Sequence, residues 1–153
     1  MARKSLNDQL HDSKDLPKIV DIKDPDGIRK NGGPRLLIAP AIAYDEMMRK
    51  VPEGKVVTSD QIRRVMAEKS GADNTCPLTA GIFINLVAKA SEERGVDMTP
   101  YWRTLKKDGE LNEKYPGGIE TQKQKLEAEG HKVVSRGKKY FVENFERVAE
   151  PLA

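Results

Sequence analysis

The chain has 153 residues, enough for one domain with a sizeable core. Its hydrophobic share is 37%, its charged share 33% and its net charge only +3, so any basic patch for a nucleic acid has to be local. One cysteine excludes an internal disulfide and a multi-cysteine zinc site, two histidines argue against a histidine metal centre, and no apolar run reaches the ~18 residues of a membrane span. No apolar signal run follows Met1, so a cytoplasmic location is expected.

Residues 1–16 are polar, with Ser5–His11 read as a short helix or a frayed end. Lys18–Ile22 alternates like a strand, and Arg35–Ala39 carries the apolar run of a second one. Between them, Lys23-Asp24-Pro25-Asp26-Gly27 and Asn31-Gly32-Gly33-Pro34 have turn chemistry. These strands form an amino-terminal extension, residues 1–39. After Pro40, the spacing of Tyr44, Met47, Met48 and Val51 predicts a helix that stops at Pro52-Glu53-Gly54. Thr58 and Gln61 read as a capping box opening a helix that buries Ile62, Val65 and Met66 and turns Arg63 and Arg64 outward.

A long apolar helix is predicted from Pro77 to Arg94, with Leu78, Ile82, Leu86 and Ala90 as one seam. A helix apolar nearly all round is expected in the core. Gly95–Gly118 reads as loop, Glu120–Glu129 as a short polar helix stopped by Gly130, and Lys132–Val142 as a hairpin. The hairpin carries Lys132, Arg136, Lys138 and Lys139. It reads either as a basic wing for phosphates or as a sheet edge guarded by lysines against aggregation. No Gly-rich phosphate loop, hydrolase triad or metal-ligand spacing is present.

The motifs lie in a fixed order. Val51-Pro52-Glu53-Gly54-Lys55-Val56-Val57-Thr58 precedes the capped helix. Pro100-Tyr101-Trp102-Arg103 follows the long one. Lys107-Asp108-Gly109-Glu110-Leu111, Tyr115-Pro116-Gly117-Gly118-Ile119 and Leu126-Glu127-Ala128-Glu129-Gly130 complete the series. Over roughly residues 50–130 this arrangement resembles the C-terminal domain of O6-alkylguanine-DNA alkyltransferases. The match is nearest to the non-enzymatic alkyltransferase-like members, because Tyr101 stands where the family's Pro-Cys-His-Arg motif has its cysteine. No counterpart of adequate length exists for the amino-terminal domain of the full alkyltransferases.

The resemblance implies an α+β, mostly α, winged-helix-like DNA-binding domain of the alkyltransferase type over residues 40–130, with a C-terminal β-hairpin and tail over 131–153. It implies double-stranded DNA, plain or alkylated, and repair proteins as partners, and no cofactor. In the family a cysteine thiolate attacks the alkyl carbon of a flipped guanine. A phenol, with an ordinary pKa of ~10, is poorly suited to that displacement. Tyr101 and Trp102 therefore either stack on a base or fill the old pocket as core aromatics.

Met98, Tyr115, Gly117 and Gly118 complete the pocket set. Ser59, Arg63, Arg64, Thr75, Pro77, Arg103, Lys106, Lys107, Arg136 and Lys138 form the DNA-contact set. Arg103 is read as a loop anchor or a surface cation, and Glu129 as structural or exposed. The family's arginine finger falls near Pro77 and its phosphate-rotating tyrosine at Ser59, so neither functional side chain is present. The leading reading is a non-enzymatic binder of alkylated guanine or of DNA generally. A transferase with a displaced nucleophile, Cys76 or Tyr101, and a fold reused for protein or small-ligand binding are the alternatives.

Overall fold

The computed structural model describes residues 5–152, so the ends of the amino-terminal extension and of the tail lie outside it. Helix α1, Leu6–His11, is capped by the Ser5 hydroxyl, which accepts from the Asp8 amide at 3.0 Å. The Leu6 and Asn7 amides each donate to the Glu93 carboxylate at 3.0 Å, and Leu10 is buried in the main core. Strands β1, Lys18–Asp21, and β2, Arg35–Ile38, pair antiparallel from Lys18 opposite Ile38 to Asp21 opposite Arg35.

The segment between them departs from the turn expected there. It is a helix, α2, Pro25–Asn31. The Asp24 carboxylate accepts from the Gly27 amide at 2.8 Å, proline occupies the first turn, and Gly32 closes the helix at φ 72°. Asp-Pro at the entry and Gly at the exit are helix punctuation as much as turn punctuation.

Helix α3, Ala41–Arg49, buries Tyr44, Met47 and Met48 along the predicted stripe. Strand β3, Val57–Thr58, runs into α4, Ser59–Ser70. The Thr58 hydroxyl accepts from the Gln61 amide at 3.2 Å, one half of the expected capping box. The other half is replaced: the Gln61 side chain donates to the Glu150 carbonyl and so ties the tail to this helix start. Strand β4, Asn74–Thr75, pairs parallel with β2, which builds the amino-terminal extension into the domain.

Helix α5, Pro77–Arg94, is buried through Ile84, Val87, Ala88, Ala90 and Ser91. Its predicted seam is only partly covered, because Leu78 is 73% and Ile82 55% exposed. Strand β5, Thr104–Leu105, pairs parallel with β3. Helix α6, Gly118–Ala128, and the antiparallel hairpin of β6, Val133–Arg136, and β7, Lys139–Val142, enclose a second small core of Val56, Leu105, Leu111, Leu126 and Val142. The tail returns to the centre: the Val56 amide donates to Val148 and the Glu150 amide to Val56, at 2.9 and 2.8 Å. The result is an α+β fold in which helices dominate and the sheets are small. No helix among the described residues is long and apolar enough to cross a membrane.

Candidate nucleic-acid interface

Residues Tyr101–Arg103 form one tight 3₁₀ turn between α5 and β5. Tyr101 has no exposed surface, and its hydroxyl donates to the Glu92 carboxylate of α5 at 2.7 Å. Burial, aided by that carboxylate, holds its phenol above its ordinary pKa. The rings of Trp102 and Tyr115 meet Tyr101 edge-on, at centroid distances of 5.4 and 5.2 Å, a favourable geometry for packed aromatics. Tyr115 is itself buried, and its hydroxyl donates to the Thr104 carbonyl at 2.9 Å.

Arg103 and Glu129 lock the turn to α6. The guanidinium donates to the Glu129 carboxylate through Nη2 at 2.7 Å and Nε at 3.0 Å, and to the Val51 carbonyl through Nη1 at 2.9 Å. Both side chains are largely buried, 13% and 8% exposed. The Trp102 indole donates to the same carboxylate at 3.0 Å. Burial alone would raise the Glu129 pKa; the donors from Arg103 and Trp102 outweigh it and hold the carboxyl below its usual range. Beside this pair, burial lowers the pKa of His131, with Glu129 partly opposing the shift.

The cleft opens on the next residues. About 350 Å³ in volume, it lies between the starts of α4 and α5 and the loops around β5 and residues 112–115. Helix α4 contributes Ser59, Asp60 and Arg63, and α5 contributes Pro77, Ala80, Gly81, Ile84 and Asn85. Thr104–Lys107 and Asn112–Tyr115 form the facing wall. The volume lies at the small end of the ~300–1,000 Å³ typical of ligand pockets.

The facing wall is pinned from behind. The buried Gln122 side chain accepts from the Asn112 amide at 2.7 Å and donates to the Trp102 carbonyl at 3.1 Å. The Asn112 side chain donates to Asn85 of α5 at 2.9 Å, joining the two walls. Within this wall, the buried Thr104 hydroxyl has no hydrogen-bond partner among the described residues.

Four cations, Arg63, Lys106, Lys107 and Lys114, line the cleft against two carboxylates, Asp60 and Glu113. Each carboxylate is engaged: Asp60 with Arg63 at 2.7 Å and Glu113 with Lys106 at 3.4 Å. The cleft wall extends toward the hairpin, where Lys138 and Lys139 share a neighbouring hollow with Lys106 and Glu113.

Two crystal structures of S. pombe Atl1 have this arrangement of elements. One, in complex with damaged DNA containing O6-carboxymethylguanine, is 19% identical at a TM-score of 0.52, over 72% of this chain and 93% of that one. The other, in complex with DNA, is 21% identical at a TM-score of 0.52, over 71% and 91%. The fold is of the alkyltransferase type. No family model and no curated protein matches the chain.

Within the alkyltransferase-type fold, the residues singled out in the sequence separate into three groups. Ser59, Arg63, Pro77, Lys106, Lys107 and Tyr115 line the cleft together. Arg64 is exposed on α4 outside the cleft, while Arg136 and Lys138 are exposed on the hairpin, with Arg136 5.2 Å from the Phe141 ring centroid. The third group is turned inward. Tyr101 and Trp102 do not line the cleft; Tyr101 is core and Trp102 is half-buried, with Lys125 4.7 Å from its ring centroid.

Arg103 is consumed by Glu129 and Val51, so it is a loop anchor without a free guanidinium. Thr75 is fully buried, its hydroxyl donating to the Arg63 carbonyl at 2.8 Å, and so presents nothing to a surface ligand. Met98 lies behind α5, accepting from Ser91 at 3.5 Å. Gly117 caps α6 at φ 80°, where an added Cβ would collide with Thr121; Gly118 follows at φ 68°, and both serve the turn away from the cleft. Cys76 caps α5 and does not line the cleft. Among the described residues no cluster of His, Cys, Asp and Glu could hold a metal ion.

Several cleft residues escaped the sequence reading: Asn85, Asn112, Lys114 and Gly81. Gly81 alone carried a local signal. A glycine in the first half of a strong helix pattern is costly and calls for a reason.

Proposed function

We propose that this protein binds double-stranded DNA and holds alkylated guanine in the cleft without removing the alkyl group. The observation that carries this reading is the division between Tyr101 and the cleft beside it. The residue at the family's nucleophile position is sealed in the core with its hydroxyl on Glu92, while the cleft beside it is lined by the exposed Lys107 and Lys114. A phenol held above its ordinary pKa keeps its proton at neutral pH and makes a poor nucleophile. Both Atl1 neighbours are DNA complexes, one with an O6-alkylated guanine, and they support DNA as the partner.

Helices α4 and α5 act as a helix-turn-helix, and the hairpin acts as a wing whose cations reach phosphates. Lysines along the cleft supply most of the affinity through counterion release. Repair proteins are the expected downstream partners, in the cytoplasm. Fluorescence anisotropy with matched plain and O6-alkylguanine duplexes tests the reading. Tighter binding to the lesion with no covalent adduct is expected. Equal failure to bind either duplex at low salt would refute it.

A further inference from the structure

Away from the cleft, the amino-terminal extension and the helices beside it frame a second hollow of about 420 Å³. Most of its lining lies before residue 51, outside the stretch that resembles the alkyltransferases. Its floor is apolar and buried: Leu37, Ala39 and Pro40 from β2 and the link after it, Met47 from α3 and Met66 from α4. Ile42 is half-buried along one side. The Ser70 hydroxyl at its end is already spent on the Met66 carbonyl at 2.9 Å. The hollow takes its α4 residues from the last turns of that helix, whereas the cleft takes Ser59, Asp60 and Arg63 from the first.

Two features select an occupant. Methionine is flexible, fits irregular shapes, and recurs at surfaces that bind varied protein segments. The rim carries Lys50 and Lys69 against one carboxylate, Glu46; all three are exposed and form no ion pair among the described residues. A protein segment with large apolar side chains and neighbouring carboxylates would cover the floor and give both lysines a partner. A duplex backbone would answer the lysines and leave the apolar floor wet. A second copy of the chain fits poorly through its own exposed apolar row, Leu78 and Ile82, because Lys107 and Lys114 of the neighbouring cleft would then approach Lys50 and Lys69.

We propose that this groove docks an apolar protein segment flanked by acidic residues, its large side chains on Met47 and Met66 and its carboxylates on Lys50 and Lys69. The proposal stands apart from the DNA-binding reading. It adds a protein-directed surface, built largely by the amino-terminal extension, at the other end of α4 from the cleft.

Selection from a displayed random-peptide library on the wild-type protein tests it. Enriched peptides should share large apolar residues beside Asp or Glu. A synthetic peptide of that consensus should bind less well as salt rises, and about tenfold more weakly to the Lys50→Glu, Lys69→Glu double variant. The same peptide with Lys in place of its acidic residues should reverse that preference. Both lysines are exposed, so the double variant should keep the wild-type melting temperature. Ile42→Ser should weaken peptide binding severalfold and leave its salt dependence unchanged. DNA affinity, read alongside, should be the same with and without bound peptide. A library that yields no binder, or a consensus without acidic residues, overturns the proposal. So does displacement of the peptide by a duplex, which would place the groove inside the DNA surface. Binding of dodecanoate with no acidic peptide enriched would assign the groove to a small amphiphile and overturn it too.

Discussion

Tyr101–Arg103 and Thr104–Lys107 are adjacent in the chain and opposite in character. In the first group each polar side chain ends on a protein partner: Tyr101 on Glu92, Trp102 on Glu129, and Arg103 on Glu129 and Val51. In the second, all four residues line the cleft: Thr104 and Leu105 from buried positions, Lys106 paired with Glu113 at 3.4 Å, and Lys107 exposed. The polar side chains of the first segment are spent on folding, whereas the second ends in an exposed lysine, Lys107, that forms no ion pair among the described residues.

The contrast breaks most sharply at the buried ion pair. Glu129→Ala leaves the Arg103 guanidinium and the Trp102 indole without their acceptor, and should cost about 3–5 kcal/mol in denaturant melts. Arg103→Ala should cost a similar amount, and the double variant less than the sum. The same corner sets the acid response. His131 is held below its ordinary pKa, so the unfolded chain takes up its proton first as pH falls through the ordinary histidine range. Glu129 is lowered too, and its stabilising charge is lost on further descent through the carboxylate range. The melting temperature should therefore fall stepwise between neutral pH and about pH 4. A flat profile would show that this corner does not control stability.

Tyr101→Cys should cost about 2–4 kcal/mol, as a large core side chain is traded for a small one. It should also fail to gain alkyl transfer, because the position is closed; intact-protein mass spectrometry after incubation with alkylated DNA reads this directly. Gly81→Ala should stabilise by about 0.5–1 kcal/mol in thermal melts, since the new methyl meets nothing and favours the helix. Lys107→Ala and Lys114→Ala should leave stability within about 0.5 kcal/mol. Each should reduce the salt slope of DNA binding by about 0.9 if its lysine neutralises one phosphate.

Much of the fold was legible because its signals are local. Thr58 and Gln61 announced the start of α4, and the spacing of Tyr44, Met47 and Met48 announced α3. Asp24-Pro25 was misread because the same residues open turns and cap helices, and a seven-residue helix with no buried side chain leaves no periodic trace. The seam on α5 was read as core throughout because periodicity reports which residues share a face, not whether a neighbour covers it.

The site was less legible for the same reason. Its two walls come from segments tens of residues apart, and Asn85 meets Asn112 only through the tertiary fold. The motif at Tyr101 drew the pocket toward itself, while burial put the open space one step further along the chain. Thr75 looked like a surface contact, and Arg103 read as either a loop anchor or a surface cation; the backbone carbonyls and the Glu129 carboxylate that engage them cannot be located by spacing.

The most direct test is to titrate the protein into a duplex carrying one O6-alkylguanine, follow anisotropy, and then weigh the same protein intact. Saturable binding, tighter than to the plain duplex and followed by an unchanged protein mass, is the expected result. A mass gain of one alkyl group, or no binding to either duplex at low salt, would contradict it.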